Sequence, residues 1–214
     1  MKTFLIEKIQ HSEINEVADM LNEAFKTNPA YSIIFKKKNQ LNEGLLWLFK
    51  TSLILNNHKQ TLTRVIKEKD TGKIVGTFTL IPPKGVKNGI SIYSKIGILG
   101  FISKFGLKSL TRMLDLDKCN KQSLRKSIKT SEYYYLSMVV IREKYRGKGI
   151  GSYAIRYAIQ ELISSNSACK LIGLTTQLPE NVVFYSRLGF DKLDEGYINF
   201  KGDRYYNYNM KLNL

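Results

Sequence analysis

Between positions 133 and 166 the chain runs an apolar strand-length stretch, a glycine-rich turn and an amphipathic helix, and this order constrains the fold more than anything else in it. Tyr133 to Ile141 is strongly apolar and aromatic, as suits a central strand covered on both faces. Arg142 to Arg146 is polar, and Arg146-Gly147-Lys148-Gly149-Ile150-Gly151 completes the turn. From Ser152 onward Ala154, Ile155, Ala158, Ile159, Leu162 and Ile163 recur in pairs four apart, the signature of one buried helix face, which ends in Ser164, Ser165 and Asn166.

The remaining pattern extends this unit. Thr3 to Gln10 reads as a strand, and Ser12 is placed to cap a helix carrying Ile14, Val17, Ala18, Leu21, Ala24 and Phe25. A second helix is expected over about 41–55, with its Leu45-Leu46-Trp47-Leu48-Phe49 cluster largely buried. Thr61 to Lys69 and Lys73 to Ile81 form a hairpin across Asp70, Thr71 and Gly72, ended by Pro82 and Pro83. Leu171 to Thr176 is a short strand, Glu180 to Leu188 a short helix, and Asp191 to Phe200 and Arg204 to Leu214 are the last two strands. With no internal repeat, low-complexity tract or linker, residues 1–214 read as a single α/β domain.

The segment 83–130 stands apart. It holds nine Lys and two Arg against Asp115 and Asp117, a net of +9 within a chain whose overall charge is +16. Gly97, Gly100 and Gly106 favour broken helical pieces over one long helix, since an interior glycine costs about 1 kcal/mol relative to alanine. Such a field concentrates anionic partners near the surface without choosing among them. Tyr93, Phe101 and Phe105 among these lysines suit an amphipathic cover over an apolar groove better than a nucleic-acid or lipid-facing surface.

Other chemistry is disfavoured. Cys119 and Cys169 lack metal-ligand spacing, and His11 and His58 stand beside no partner motif, so neither a metal site nor a Ser-His-Asp arrangement is expected. Glu7 interrupts what would be a signal peptide's apolar region, and Lys95 and Lys104 break the greasiest span, Ile90 to Leu107. A cytoplasmic protein with no transmembrane segment is the expectation.

Glycines after a strand let successive backbone N–H groups point inward, and the helix that follows adds about half a positive charge at its N-terminus. That combination binds phosphate, and Arg146 and Lys148 add mobile charge suited to a diphosphate; the plainer alternative is a tight turn with exposed basic residues. A P-loop is excluded because Gly149, not Ser or Thr, follows Lys148. Gly149-x-Gly151-x-x-Ala154 matches a dinucleotide fingerprint, but the next strand ends in Thr175-Thr176-Gln177 with no ribose-binding carboxylate.

Arg146, Gly149 and Gly151 supply R/Q-x-x-G-x-G/A, the pyrophosphate signature of the GCN5-related N-acetyltransferases (GNAT), and the chain resembles that family over most of its length. Asn181-Val182-Val183-Phe184-Tyr185-Ser186-Arg187-Leu188-Gly189-Phe190 independently resembles the family's N-x-x-x-Y-x-x-L-G-F segment, in family order. The resemblance implies a mixed, mostly antiparallel twisted sheet flanked by helices, with 83–130 as a basic, partly helical insertion between the third and fourth strands. It also implies an acetyl-CoA-dependent transferase that wedges the co-substrate between two splayed strands and uses no metal.

Site residues follow from the same resemblance. Val139, Val140 and Ile141 would offer backbone groups to pantetheine, and Gly147, Lys148, Gly149, Ile150, Gly151 and Ser152, with Arg146, would hold the diphosphate. Asn181 would bond either the cofactor or a local loop, being equally a common helix-start residue. Tyr185 is the candidate general acid for the departing thiolate, against a packing role. The general base stays open among Glu132, Glu43 and a water chain ending at Tyr133 or Tyr135. The acceptor would be a small amine or a peptide N-terminus, the protein a monomer or homodimer. A basic module binding nucleic acid or an anionic surface on an acetyltransferase scaffold, with nucleic acid disfavoured, and a non-catalytic acyl-CoA sensor are the rival readings.

Overall fold

The computed structural model describes residues 3–35, 37–58, 60, 62–89, 91–165 and 168–214, and of Lys38, Ser91 and Lys95 only the backbone. Thr61, Ile90 and Asn166, each assigned to a segment above, lie outside the described residues.

Seven strands form one sheet in the order β1-β2-β3-β4-β5-β7-β6: Phe4–Lys8, Thr63–Glu68, Ile74–Ile81, Tyr134–Ile141, Leu171–Thr176, Asp191–Phe200 and Asp203–Asn213 for β1 to β7. Every pairing is antiparallel except that of β4 with β5. The apolar run beginning at Tyr133 therefore occupies the middle of the sheet.

Helices α1 (Ile14–Phe25), α2 (Pro29–Ser32), α3 (Leu41–Asn57), α4 (Ser91–Lys95), α5 (Ile98–Phe105) and α6 (Leu107–Ile128) precede β4; α7 (Ile150–Ser164) and α8 (Pro179–Ser186) follow it. Two apolar cores lie across the sheet. One joins α1, α3, α5 and α6 through Val17, Leu21, Leu45, Leu53, Phe101 and Leu116; the other joins α7 and α8 to Phe78, Leu136 and Leu174. Among the described residues no helix is long and apolar enough to cross a membrane.

Several local expectations need correction. Ser12 caps nothing: the chain enters α1 through a 3-10 turn at His11–Glu13, in which the Glu13 carboxylate accepts the N–H of Gln10 at 2.8 Å. Of the cluster in α3, Leu45 and Phe49 are buried, whereas Leu46, Trp47 and Leu48 are half-exposed, because a helix cannot turn five consecutive residues to one side. The short helix starts at Pro179, a preferred first helical residue, and ends at Ser186. Helix α2 was not foreseen: Pro29 starts it and the Asn28 side chain caps it, accepting from the Ala30 N–H at 3.0 Å.

Between β3 and β4, α5 begins after Gly97 and α6 after Gly106, both at positive φ, while Gly100 sits inside α5. Helix α6 lies against β5, β6 and β7. Its anchor is Arg112, buried, which donates to the carbonyls of Ile33 at 2.5 Å and Ile34 at 3.1 Å, pairs with Asp203 at 2.6 Å and lies over the Phe200 ring. Arg112→Leu removes both donors and leaves acceptors unpaired behind apolar packing. The expected loss is about 3 kcal/mol, read as a lower denaturant midpoint at unchanged m-value. A loss under about 1 kcal/mol would show that Arg112 is not what fastens α6.

Candidate active site at the β4–β5 opening

β4 and β5 pair only at Tyr134 with Ile172 and Tyr135 with Gly173. From Leu136 onward β4 has no ladder partner on β5, so the two strands part and leave an opening in the middle of the sheet. On its other edge β4 carries a bulge: Thr77 pairs Val140 and Thr79 pairs Ser137, one residue more on β4 than on β3, and Met138 takes φ +51°. Bulges re-aim backbone and side chains beside a strand, and a non-glycine residue at positive φ persists only where its surroundings impose it. Gly76 makes room for this, since a Cβ there would fall 2.7 Å from the Val140 carbonyl oxygen.

At the far end of β4 the turn arranges the amides. Gly147 and Gly149 adopt φ +73° and +76°, and Gly149 is the N-cap of α7. The first intrahelical bond runs from the Tyr153 N–H to the Gly149 carbonyl at 2.9 Å, and no side chain caps the helix. The N–H groups of Ile150, Gly151 and Ser152 thus have no intrahelical acceptor. A Cβ on Gly147 or Gly149 would meet no atom within 4 Å, so the space beside these amides is open. Uncapped amides, open space and flanking cations fit a diphosphate.

The side chains around this cradle have separate duties. Ile150 is buried, so only its backbone is available, and Gly151 faces Phe184, whose ring would lie 3.2 Å from an added Cβ. Arg146 Nε donates to the Ile141 carbonyl at 3.0 Å and Lys148 Nζ to the Lys144 carbonyl at 3.1 Å, which fixes both exposed cations beside the turn. Val140, Ile141 and Arg146 line one cleft with Met20, Glu23 and Ala24 of α1, whereas Val139 packs against the α7 side. Asn181 Nδ2 donates to Thr176 Oγ1 at 2.9 Å, tying α8 to the end of β5.

Tyr185 on α8 is buried against Phe184 and Phe190, with ring centroids 5.0 and 5.4 Å away. Its hydroxyl makes no hydrogen bond among the described residues, yet it is not sealed in: the sealed, unpartnered polar side-chain atoms among them are the amide oxygens of Asn22 and Asn88. Burial, then the nearby Tyr135, pushes its pKa well above the ordinary phenol value. From the other face of the sheet Tyr135 bonds Thr175 Oγ1 at 3.1 Å across the opening, and burial pushes its phenol up to about 12. A phenol holding its proton that firmly is no proton acceptor near neutrality, so Tyr135 can relay a proton but not take one as a base. Glu43 pairs with Lys104 in the groove between α3 and α5, and Glu132 is exposed at the start of β4.

Sequence reading missed a line of buried amides beneath the opening. Asn28 bonds Gln177 at 3.2 Å, Gln177 bonds Asn207 at 2.8 Å, Asn207 bonds Asn209 at 2.9 Å, and Asn209 reaches Ser123 and Ser127 of α6. Asn207 and Asn209 are two apart on the β7 face opposite Tyr206 and Tyr208, and that spacing was the available signal. Tyr205, on the same face, donates to Asn120 of α6 at 2.7 Å.

The Acetyltransferase (GNAT) family model matches residues 17–190. This chain belongs to the GNAT family of acyltransferases. Its fold is similar to that of a Corynebacterium glutamicum protein described as histone acetyltransferase HPA2 and related acetyltransferase, at 19% identity and TM-score 0.61 over 100% of this chain and 98% of that one. It is similar also to arylalkylamine N-acetyltransferase 2 from Aedes aegypti, at 12% identity, TM-score 0.60 and 99% of each chain. An agmatine N-acetyltransferase matches at 10% identity and TM-score 0.61, again over 99% of each chain. A search of curated protein sequences found no match.

Proposed function

We propose that this GNAT enzyme moves the acetyl group of acetyl-CoA directly onto a primary amine. The observation that carries the reading is the uncapped N-terminus of α7, with two open glycines beside it, at the open end of the parted β4–β5 pair. The amides of Ile150, Gly151 and Ser152, with Arg146 and Lys148, hold the diphosphate, while backbone groups of Val139 to Ile141 align the arm that runs into the opening. Alignment of this kind supplies roughly 7 to 11 kcal/mol of a barrier in favourable cases. Asn181 steadies the end of β5 toward which the opening widens.

Acetyl-CoA contributes an activated thioester. At its carbonyl carbon the neutral amine forms the new C–N bond as the C–S bond breaks; a backbone N–H of the β4 bulge near Val139 stabilises the oxygen that gains charge. Tyr185 gives its proton to the departing sulfur, the amine's surplus proton leaves through water and the Tyr135–Thr175 pair to solvent, and the Tyr185 phenolate regains a proton from water before the next turnover. The test is release of CoA thiol from acetyl-CoA with a panel of amines, alongside calorimetric titration of acetyl-CoA. Binding with no thiol release for any amine would leave a sensor; no binding would end the reading.

The pH dependence has a definite sign. Burial raises the Tyr185 pKa, so the protonated phenol, the form an acid needs, persists beyond its ordinary value of 10. Turnover at saturating free amine should therefore show no descending limb below about pH 10. A limb with a midpoint near 8 or 9 that vanishes in Tyr185→Phe would contradict this environment.

A further inference from the structure

Resting on that reading, we infer that the acceptor amine carries an anionic group, phosphate or carboxylate, which docks in a basic cleft between α6 and the β3–β4 end of the sheet. This cleft, about 500 Å³, is separate from the one lined by Arg146. Its walls are Pro82 to Gly85, after β3, and the exposed face of α6, and its floor is Tyr133 and Tyr135.

Four cations line it, Lys84, Lys118, Lys121 and Arg125, against one carboxylate, Asp117. Asp117 is engaged by Lys121 at 2.7 Å, one helical turn away. Lys84, Lys118 and Arg125 have no ion-pair partner among the described residues, so three cations converge on one concavity uncompensated. Their cost in mutual repulsion is relieved when an anion enters. By contrast, other cations of the same helical segment are spent within the fold: Arg112 on Asp203, and Lys104 on Glu43.

Tyr135 joins the cleft to the chemistry. It lines the cleft, bonds Thr175 across the parted strands, and lies near enough to Tyr185 for its charge to act on the Tyr185 phenol. The β4 bulge at Met138 is three residues further on, about 10 Å along a strand. Long lysine and arginine side chains shorten that reach, so a small acceptor can span from cleft to opening. The field of Arg125 reaches the phenol of Tyr133 on the cleft floor, in keeping with this convergence.

The experiment compares initial rates for matched acceptors: phosphoethanolamine against ethanolamine, 6-aminohexanoate against hexylamine, with spermidine as a cationic reference. The anionic member of at least one pair should show a kcat/KM at least tenfold higher, and which pair shows it separates phosphate from carboxylate. In Lys118→Gln and Arg125→Gln that ratio should collapse about tenfold each, through KM, as a lost charge-assisted contact would give. Lys69→Gln, in the β2–β3 turn at the other end of the hairpin, controls for net charge. Equal rates within both pairs, preference for hexylamine or spermidine, or a ratio unmoved by the variants would overturn the inference. Thiol release with any of these amines would still stand for the transferase, whereas its absence with all of them alongside intact acetyl-CoA binding would fault that reading instead.

Discussion

Gly149→Val abolishes acetyl-CoA binding while the protein stays folded: this is the expected result with the largest effect. At φ +76° a β-branched residue is an outlier, costing about 1 to 3 kcal/mol of local strain. No atom lies within 4 Å of the added Cβ, so the cost is not a core clash, and both apolar cores are untouched. The strain is relieved by rotating the turn, which turns the amides of Ile150 and Gly151 away, and the new side chain occupies the open space the diphosphate needs. Losing two or three charge-assisted hydrogen bonds, at about 1.5 to 3 kcal/mol each, weakens binding by at least about a hundredfold. Calorimetry reads the affinity and circular dichroism the fold. Binding within threefold of the parent would remove the glycine cradle from the account.

Tyr185→Phe is expected to lower kcat by about a hundredfold or more, the ordinary worth of a positioned general acid, with acetyl-CoA affinity almost unchanged. The variant suits the question, because the ring contacts with Phe184 and Phe190 survive and the hydroxyl has no hydrogen-bond partner among the described residues to orphan. A loss of stability should therefore be small. If the phenol only packs, kcat stays at the parental level. If it binds the co-substrate in its ground state, the affinity falls instead, so titration and turnover together tell acid, anchor and filler apart.

Much of the architecture was legible in the chain because it is local. The strand at 134–141, the helix at 150–164 and the strands at 171–176 and 191–200 announce themselves through side-chain periodicity and glycine punctuation, each decided within a dozen residues. The glycine turn between β4 and α7 was legible for the same reason: the positive φ angles at Gly147 and Gly149 are local backbone choices that glycine permits. Membership of the GNAT family follows from two such local motifs in order, and the match over 17–190 agrees.

What the sequence left open was long-range. Nothing near Asn207 or Asn209 says that α6 will cover that face of β7 and bury both amides, since alternation there favours the Tyr206, Tyr208 and Met210 side. Glu43 looked eligible as a base until the fold brought Lys104 to it from 61 positions later. The charge of 83–130 was plain from composition, but not that Lys118 and Arg125 would face Lys84 across one cleft while Arg112 turned inward to backbone carbonyls. The residues fixed which elements form and which turn can cradle an anion, because those choices are made within a few bonds of each side chain. Only the tertiary structure parted β4 from β5 and set Tyr135 and Tyr185 on either side of the gap, because register and cross-sheet approach depend on how distant surfaces pack together.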